Sequence, residues 1–204
     1  MKDTVFVFAR LPCLGTVKRR LARDVGDRAA LRFYRATLAA TLRRLRADRR
    51  FRTVLAVTPD IACHSRAWPR HIERVAQGPG TLEHRMHRAF ACRPRRRIAI
   101  VGSDIPGLVA DDVALAFKLL GRAQACFGPA IDGGYWLVAL SPRRPATPFA
   151  NVRWSSEWAL RDTLANFAGR SVSLLRALAD VDTGADLPAR RATRPRADAP
   201  GAGA

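Results

Sequence analysis

The stretch from Thr4 to Leu21 reads TVFVFARLPCLGTVKRRL and decides how the chain begins to fold. Thr4–Ala9 is an uninterrupted run of apolar, β-branched and aromatic residues, which is typical of a buried strand. A proline and a glycine interrupt the next few residues. From Val17 onward the apolar residues recur every three or four positions, as they do in an amphipathic helix. The stretch therefore predicts a strand, a loop and the start of a helix.

The rest of the chain repeats this alternation of strands and helices. Further strands are predicted at 53–57, 72–76, 97–101, 123–127, 135–140 and 172–175, and helices at 17–49 with a break at Gly26, at 82–90, at 113–120 and from Ser155 or Ser156 to about 167. Such alternation indicates a three-layer α/β/α fold around a mostly parallel sheet. The short turn between Phe127 and Tyr135 predicts one antiparallel strand pair, so the sheet should be mixed.

Length and composition set the limits of the fold. The chain has 204 residues, of which 48% are hydrophobic, which is enough for a single domain with a real core, predicted over 1–187. Residues 188–204 are rich in Arg, Ala, Pro and Gly without periodicity, which predicts a disordered tail. No apolar run approaches the roughly 18–20 residues that span a bilayer, and the apolar start is too short for a signal peptide. We therefore expect a cytoplasmic protein, either a monomer or a homodimer.

The formal charge of +19 favours an anionic ligand. Only three of the 36 basic residues are lysines, so part of the charge reflects a general arginine bias of the kind that a GC-rich genome produces. Basic and aromatic residues do not interleave as on single-strand binding surfaces, and no zinc-finger spacing is present, which argues against dedicated nucleic-acid binding. Phosphorylated small molecules fit the charge better. The four cysteines are scattered and are expected to be reduced thiols.

The loop after the first strand contains the candidate phosphate site. A helix N-terminus offers free N–H groups to an anion. Lys18 and Arg20 add positive charges that oppose the helix dipole unless an anion lies among them. Lys18 is one of three lysines, so the arginine bias does not explain it. We expect a di- or triphosphate here, although no P-loop sequence is present.

Two acidic segments are candidate metal ligands. Asp104 follows the apolar run 98–101 directly and should lie at the rim of the sheet, where its oxygen would suit Mg²⁺ or Mn²⁺ bridging phosphates. The alternative is an Asx turn before Pro106. Asp182 belongs to a group of three aspartates within seven residues and could be a second ligand. Its alternative role is to cap a short helix, together with Thr183.

The turn at 128–135 reads GPAIDGGY and is conformationally restricted. Gly133 and Gly134 permit positive φ values or the close approach of a ligand. Asp132 should point over the same rim as Asp104. The alternative is a hairpin whose Asp-Gly pair serves only the turn.

Together these segments resemble a known bacterial family. The matching stretches are FARLP and GTVKRRL in the first loop, GSDIPGL at 102–108, GPAIDGGY at 128–135, WSS at 154–156 and DVDT with DL at 180–187. They are similar to DUF2064-type, glycosyltransferase-like proteins. That family belongs to the nucleotide-diphospho-sugar transferase superfamily, with the GT-A fold, and is related to phospholactate and molybdenum cofactor guanylyltransferases. The chain departs from the family at Arg10, Arg19 and Glu83, where lysine, threonine and glycine are usual.

The residues themselves and the resemblance together give each candidate a predicted role. Catalytic roles fall on Lys18, Asp104 and Asp132, and the metal, Mg²⁺ or Mn²⁺, on Asp104 and Asp182. The implied nucleotide site comprises Arg10, Leu11, Gly15, Lys18, Arg20 and Ser103, and the implied acceptor site comprises Gly133, Gly134, Tyr135 and Trp154.

The predicted function is that of a metal-dependent transferase. Its donor would be a nucleoside triphosphate or a sugar nucleotide, and its acceptor a small phosphorylated or hydroxyl compound. Nucleotidyl transfer and glycosyl transfer both remain open, as do the base, the sugar and the acceptor. A non-catalytic protein that binds nucleotides or nucleic acid is the alternative.

Overall fold

The backbone alternates between strands and helices, as the sequence predicts. The computed structural model describes residues 2–187, and the predicted tail at 188–204 lies outside the described residues. The strands are β1 Asp3–Arg10, β2 Phe51–Thr58, β3 Glu73–Ala76, β4 Ile98–Gly102, β5 Ala125–Pro129, β6 Tyr135–Leu140 and β7 Val172–Leu174. The helices are α1 Arg19–Val25, α2 Asp27–Ala47, α3 Leu82–Ala91, α4 Ala110–Leu119 and α5 Ala159–Ala165.

The seven strands form one mixed sheet in the order β3-β2-β1-β4-β6-β5-β7. Strand β1 is parallel to both β2 and β4, β2 is parallel to β3, and β5 is parallel to β7. Only β6 runs in reverse, so it is antiparallel to both β4 and β5. The carboxyl ends of β1 and β4 consequently meet the first residue of β6, Tyr135, at the same edge of the sheet.

Helices cover both faces of the sheet and make it the middle of three layers. The strands alternate between the two faces, as extended chains do. Val5, Val7, Leu55 and Val101 pack with α2 and α4 in one buried cluster. The opposite face packs against α3 and α5 in a second cluster, which contains Phe6, Val54, Ile100, Phe127, Val138, Met86 and Phe90. The predicted three-layer, mostly parallel single-domain fold is confirmed.

A small third cluster joins the first helix to the last described segment. Leu21 and Ala30 pack with Val181 in a buried group. The amide of Gly184 also donates a hydrogen bond to the Asp24 carboxylate at 2.7 Å. Residues 180–187 are thereby held against α1, beside the first loop. Among residues 2–187, none of the helices has the length and apolar character needed to cross a membrane.

The helix predicted from Ser155 or Ser156 is shorter than expected. Helix α5 begins at Ala159, and Ser155 has a left-handed φ of 59°. The Ser156 hydroxyl donates to the Arg153 carbonyl at 2.6 Å and accepts from the Trp158 amide at 3.2 Å. Ser156 therefore stabilises a turn before the helix, and neither serine is the residue that caps it.

Phe127 allows a test of the second buried cluster. Its ring is fully buried, with centroids 5.4 Å from that of Tyr135 and 5.7 Å from that of Phe167. We expect Phe127→Ala to lower the free energy of unfolding by about 3–5 kcal/mol, since truncation leaves a cavity. Chemical denaturation measures this. The control Leu174→Ala, at a side chain that is 55% exposed, should change the free energy of unfolding by less than about 0.5 kcal/mol. Equal losses in the two variants would contradict the placement of Phe127 in the core.

Candidate active site

The centre of the candidate site is a lysine between two aspartates. The Lys18 ammonium lies 2.6 Å from Asp104 Oδ2 and 2.7 Å from Asp182 Oδ1. Only 5% of the Lys18 side chain is exposed. Burial alone would lower the pKa of Lys18, but Asp104 and Asp182 outweigh it and raise the pKa above its usual value. The lysine is therefore a fixed positive charge, which joins the two residues that the sequence analysis predicts as metal ligands.

Three separate chain segments present these side chains to each other. Lys18 has left-handed backbone angles, φ 48° and ψ 49°, and is the residue just before α1. Asp104 follows β4 by two residues. Asp182 lies in the segment held against α1, where Asp186 Oδ2 accepts hydrogen bonds from the amides of Asp182 and Thr183, at 3.1 and 2.7 Å. Because Asp186 accepts the hydrogen bonds of these amides, the Asp182 carboxylate is free to contact Lys18.

Arg20 completes the cationic side of the site. Its guanidinium lies 3.6 Å from Asp182 Oδ2, and its side chain is 70% exposed. Arg10 and Gly15 are also exposed, and Gly15 has a φ of 72°. Leu11 is partly buried and packs against the cluster beneath α2 and α4. Of these predicted nucleotide-site residues, which extend from the end of β1 to the first turn of α1, Arg10, Gly15 and Arg20 face solvent.

Ser103 is buried beneath the loop. Its hydroxyl donates to Tyr34 Oη at 3.2 Å. Tyr34 Oη in turn donates to the Arg10 carbonyl and accepts from the Arg10 amide, both at 2.9 Å. Ser103 thus supports the loop through Tyr34, a residue whose role the sequence analysis missed because it belongs to the apolar stripe of α2. The sequence analysis also missed Gln77. Its side-chain amide donates to the Ala56 and Ala9 carbonyls at 2.8 and 3.4 Å.

A cavity of about 250 Å³ opens beside Asp104, between α3 and α5. It contains three of the four residues predicted to contact the acceptor, namely Gly134, Tyr135 and Trp154. Asp132 and Asp180 also line it. Asp180 is a site residue that the sequence analysis missed, although it is part of the acidic group that contains Asp182.

Several polar groups of the cavity wall have raised pKa values or lack hydrogen-bond partners. Burial, and then the charges of Asp182 and Asp132, raise the pKa of Asp180. Burial also raises the pKa of Tyr135 well above its usual range, and the Tyr135 hydroxyl has no hydrogen-bond partner among residues 2–187. The Trp154 Nε1 atom is buried and has no hydrogen-bond partner among residues 2–187. Unpartnered buried polar groups are costly, and both of these residues belong to the cavity wall.

Gly133, the fourth predicted acceptor residue, is not part of the cavity wall. Its carbonyl accepts a hydrogen bond from the Leu160 amide at 3.0 Å. A Cβ atom built on it would lie 2.2 Å from the Glu157 carbonyl oxygen. The close packing places Gly133 against the chain before α5 and fixes the direction of the 128–135 turn.

The predicted metal site is a pair of carboxylates. Among residues 2–187, no group of three or more His, Cys, Asp or Glu side chains is arranged to hold a metal ion. Asp104 and Asp182 nevertheless share one cation, the Lys18 ammonium. Mg²⁺ is commonly held by one or two carboxylates plus substrate phosphates and water, so the donor set fits a metal bound jointly with a substrate.

The fold defines the class of protein. The chain is 30% identical to a candidate nucleotide-diphospho-sugar transferase from Desulfovibrio desulfuricans G20, with a TM-score of 0.81, over 90% of this chain and 84% of that one. It shares the fold at 12% identity with the inositol-1-phosphate CTP transferase from T. maritima, with a TM-score of 0.60 over 92% of each chain. The manganese complex of Rv0371c from Mycobacterium tuberculosis H37Rv is 17% identical, with a TM-score of 0.55, over 91% of this chain and 96% of that one.

The fold is thus that of the nucleotide-diphospho-sugar transferases. The family can also be named, since residues 41–156 match DUF2064, described as an uncharacterized protein conserved in bacteria. The chain belongs to this DUF2064 family. The matched region includes Asp104, Asp132 and Trp154, whereas Lys18 and Asp182 lie outside it. None of the curated proteins matches the chain.

Gly133 and Gly169 provide a matched test of the turn. Both have left-handed φ values, 85° and 72°, but a Cβ on Gly169 would meet no atom within 4 Å. We expect Gly169→Ala to cost about 1–2 kcal/mol of unfolding free energy from backbone strain alone. Gly133→Ala should cost about 1–3 kcal/mol more, because its Cβ overlaps the Glu157 backbone. Urea denaturation of both variants gives the difference, and equal costs would show that this contact is unimportant.

Proposed function

We propose that this protein is a transferase that uses a nucleotide-activated donor together with Mg²⁺ or Mn²⁺. The observation that carries the proposal is the contact of Lys18 with both Asp104 and Asp182 at the carboxyl edge of the sheet. In open α/β sheets this edge is where ligands bind. A buried cation that links two carboxylates, with Arg20 alongside, provides both kinds of group that metal-bound phosphates require.

The proposed roles divide the site into two parts. Asp104 and Asp182 would hold the metal ion, which when bound supplies positive charge to the donor phosphates. Lys18 and Arg20 would stabilise the negative charge that develops on the departing phosphate group. Asp132 lines the cavity next to Asp104 and would accept the proton of an acceptor hydroxyl.

Three similar proteins support this assignment at different levels. The protein from Desulfovibrio desulfuricans, which is 30% identical to this chain, is named as a nucleotide-diphospho-sugar transferase. The T. maritima protein is a CTP transferase, and the mycobacterial protein was solved with manganese. The last two share only the fold with this chain.

Two donor chemistries are consistent with the site. In nucleotidyl transfer, the acceptor attacks the α-phosphate of a nucleoside triphosphate and pyrophosphate leaves. We favour this chemistry because the first loop presents the exposed Arg10 and Arg20 beside Lys18, which suits a triphosphate. In glycosyl transfer, the acceptor hydroxyl attacks the anomeric carbon and a nucleoside diphosphate leaves. The name of the Desulfovibrio desulfuricans relative is the observation that favours this second candidate.

Replacing Asp104 tests the catalytic proposal. We expect Asp104→Asn to lower the turnover number by about a hundredfold or more, because a charged group at the reacting phosphates is lost. Turnover is followed in a panel of triphosphates and sugar nucleotides with Mn²⁺, where pyrophosphate release identifies nucleotidyl transfer and free nucleoside diphosphate identifies glycosyl transfer. The control Asp111→Asn removes an aspartate that is 82% exposed and should leave turnover unchanged. Full activity of Asp104→Asn would refute the metal assignment.

Nucleotide binding should depend on the metal. With Mn²⁺ present, a donor nucleotide at a hundred times its Kd should stabilise the fold by about 2.7 kcal/mol, seen as a higher Tm. EDTA should remove most of this shift, because Asp104 and Asp182 then repel the phosphates. A shift that EDTA leaves intact would favour metal-independent binding. Salt-sensitive retention of duplex DNA without any response to nucleotide would favour a nucleic-acid-binding protein instead.

A further inference from the structure

The cavity beside Asp104 has the opposite charge to the protein as a whole. Its wall contains nineteen residues, of which three are aspartates and none is lysine, arginine or histidine. In the whole chain, by contrast, more than one residue in six is lysine or arginine, and the net charge is +19. A general arginine bias therefore cannot have produced this wall. The absence of basic residues is a local property of the cavity wall.

Most of the cavity wall is apolar. Phe8, Ile100 and Val138 come from three adjacent strands, and Met86 closes the wall from α3. Tyr135 and Trp154 add aromatic rings on the side of α5, with their centroids 6.3 Å apart. Such a surface stabilises the apolar part of a ligand by removing it from water.

Of the three aspartates in the cavity wall, only Asp104 is paired with a cation of the described chain, the Lys18 ammonium. Within residues 2–187, neither Asp132 nor Asp180 forms an ion pair with a basic side chain, and the Lys18 ammonium is already shared by Asp104 and Asp182. A divalent ion on Asp104 and Asp182 would come with the negative phosphates of the donor. Asp132 and Asp180 would remain, so a phosphate or carboxylate on a second ligand would be repelled.

We infer that the acceptor is a hydroxyl compound with an apolar body and no negative charge, either neutral or cationic. The inference rests on the proposed transferase function and narrows the acceptor to one class, since it excludes phosphorylated acceptors. The apolar wall would bind the body, and the hydroxyl would face Asp132. A cationic group would gain further from Asp180 and from the aromatic faces of Tyr135 and Trp154.

Three phenyl compounds that differ mainly in charge test this inference. Phenylalaninol carries an ammonium group, 2-phenylethanol is neutral, and 3-phenyllactate carries a carboxylate; each has an aliphatic hydroxyl. Their Kd values for the full chain are measured by ligand-observed NMR with a nucleotide and Mg²⁺, which is diamagnetic and does not broaden the ligand signals. We expect phenylalaninol and 2-phenylethanol to bind at least about tenfold more tightly than 3-phenyllactate. Equal or tighter binding of 3-phenyllactate, or no binding of any of them, would overturn the inference.

Two variants that each add a positive charge test whether the phenyl compounds bind in this cavity. Leu82 lines the cavity and is 44% exposed, whereas Leu115 is 47% exposed on α4, on the opposite face of the sheet. Leu82→Arg should reduce or reverse the preference against 3-phenyllactate, and Leu115→Arg should leave it unchanged. Equal effects of the two variants would overturn the assignment.

The same samples separate this inference from the transferase proposal. The rise in Tm caused by nucleotide and the divalent metal ion is measured without the three phenyl compounds. If that stabilisation is missing, the transferase proposal fails. If it is present and 3-phenyllactate is the preferred ligand, only the inference about the acceptor fails.

Discussion

The ammonium group of Lys18 holds together three parts of the chain that are far apart in sequence. It contacts Asp104 after β4 and Asp182 near the end of the described chain, while Lys18 itself precedes α1. Without this cation, two carboxylates would face each other in a half-buried place, which is costly. The packing of Val181 against Leu21 brings Asp182 to this position. The Lys18 ammonium then links the first loop, the rim of the sheet and the last described segment through their charges.

The reversed strand β6 is what places a cavity next to this group. If β6 were parallel to β4, Tyr135 would lie at the opposite edge of the sheet. Because β6 is antiparallel, the 128–135 turn lies beside the end of β4, and Asp132 comes close to Asp104 and Asp180. The site thus combines the carboxyl ends of the parallel strands β1 and β4, which favour phosphate binding, with the 128–135 turn, which forms part of the cavity wall.

The sequence predicts the sheet well because each strand is a short apolar run between turn residues. Asp104 is equally visible, since a polar group directly after a buried strand must lie at the rim, and Lys18 is visible as a cation just before a helix N-terminus. Tyr34 and Gln77 could not be predicted, because their hydrogen bonds depend on how strands and helices pack. Asp180 could not be distinguished from Asp182 either, since only the packing against α1 decides which carboxylate faces Lys18 and which lines the cavity.

The net charge of the chain differs from the local charge at the candidate site. Most of the arginines lie outside the site, where they determine the +19 but not the local field. At the site itself the charge is divided: Lys18 and Arg20 lie on the loop side, and Asp132 and Asp180 lie on the cavity side. A donor phosphate and an acceptor without negative charge would each meet the half that attracts it. This separation would orient the two substrates before any chemical step, because exchanging their positions would bring phosphate against the unpaired carboxylates.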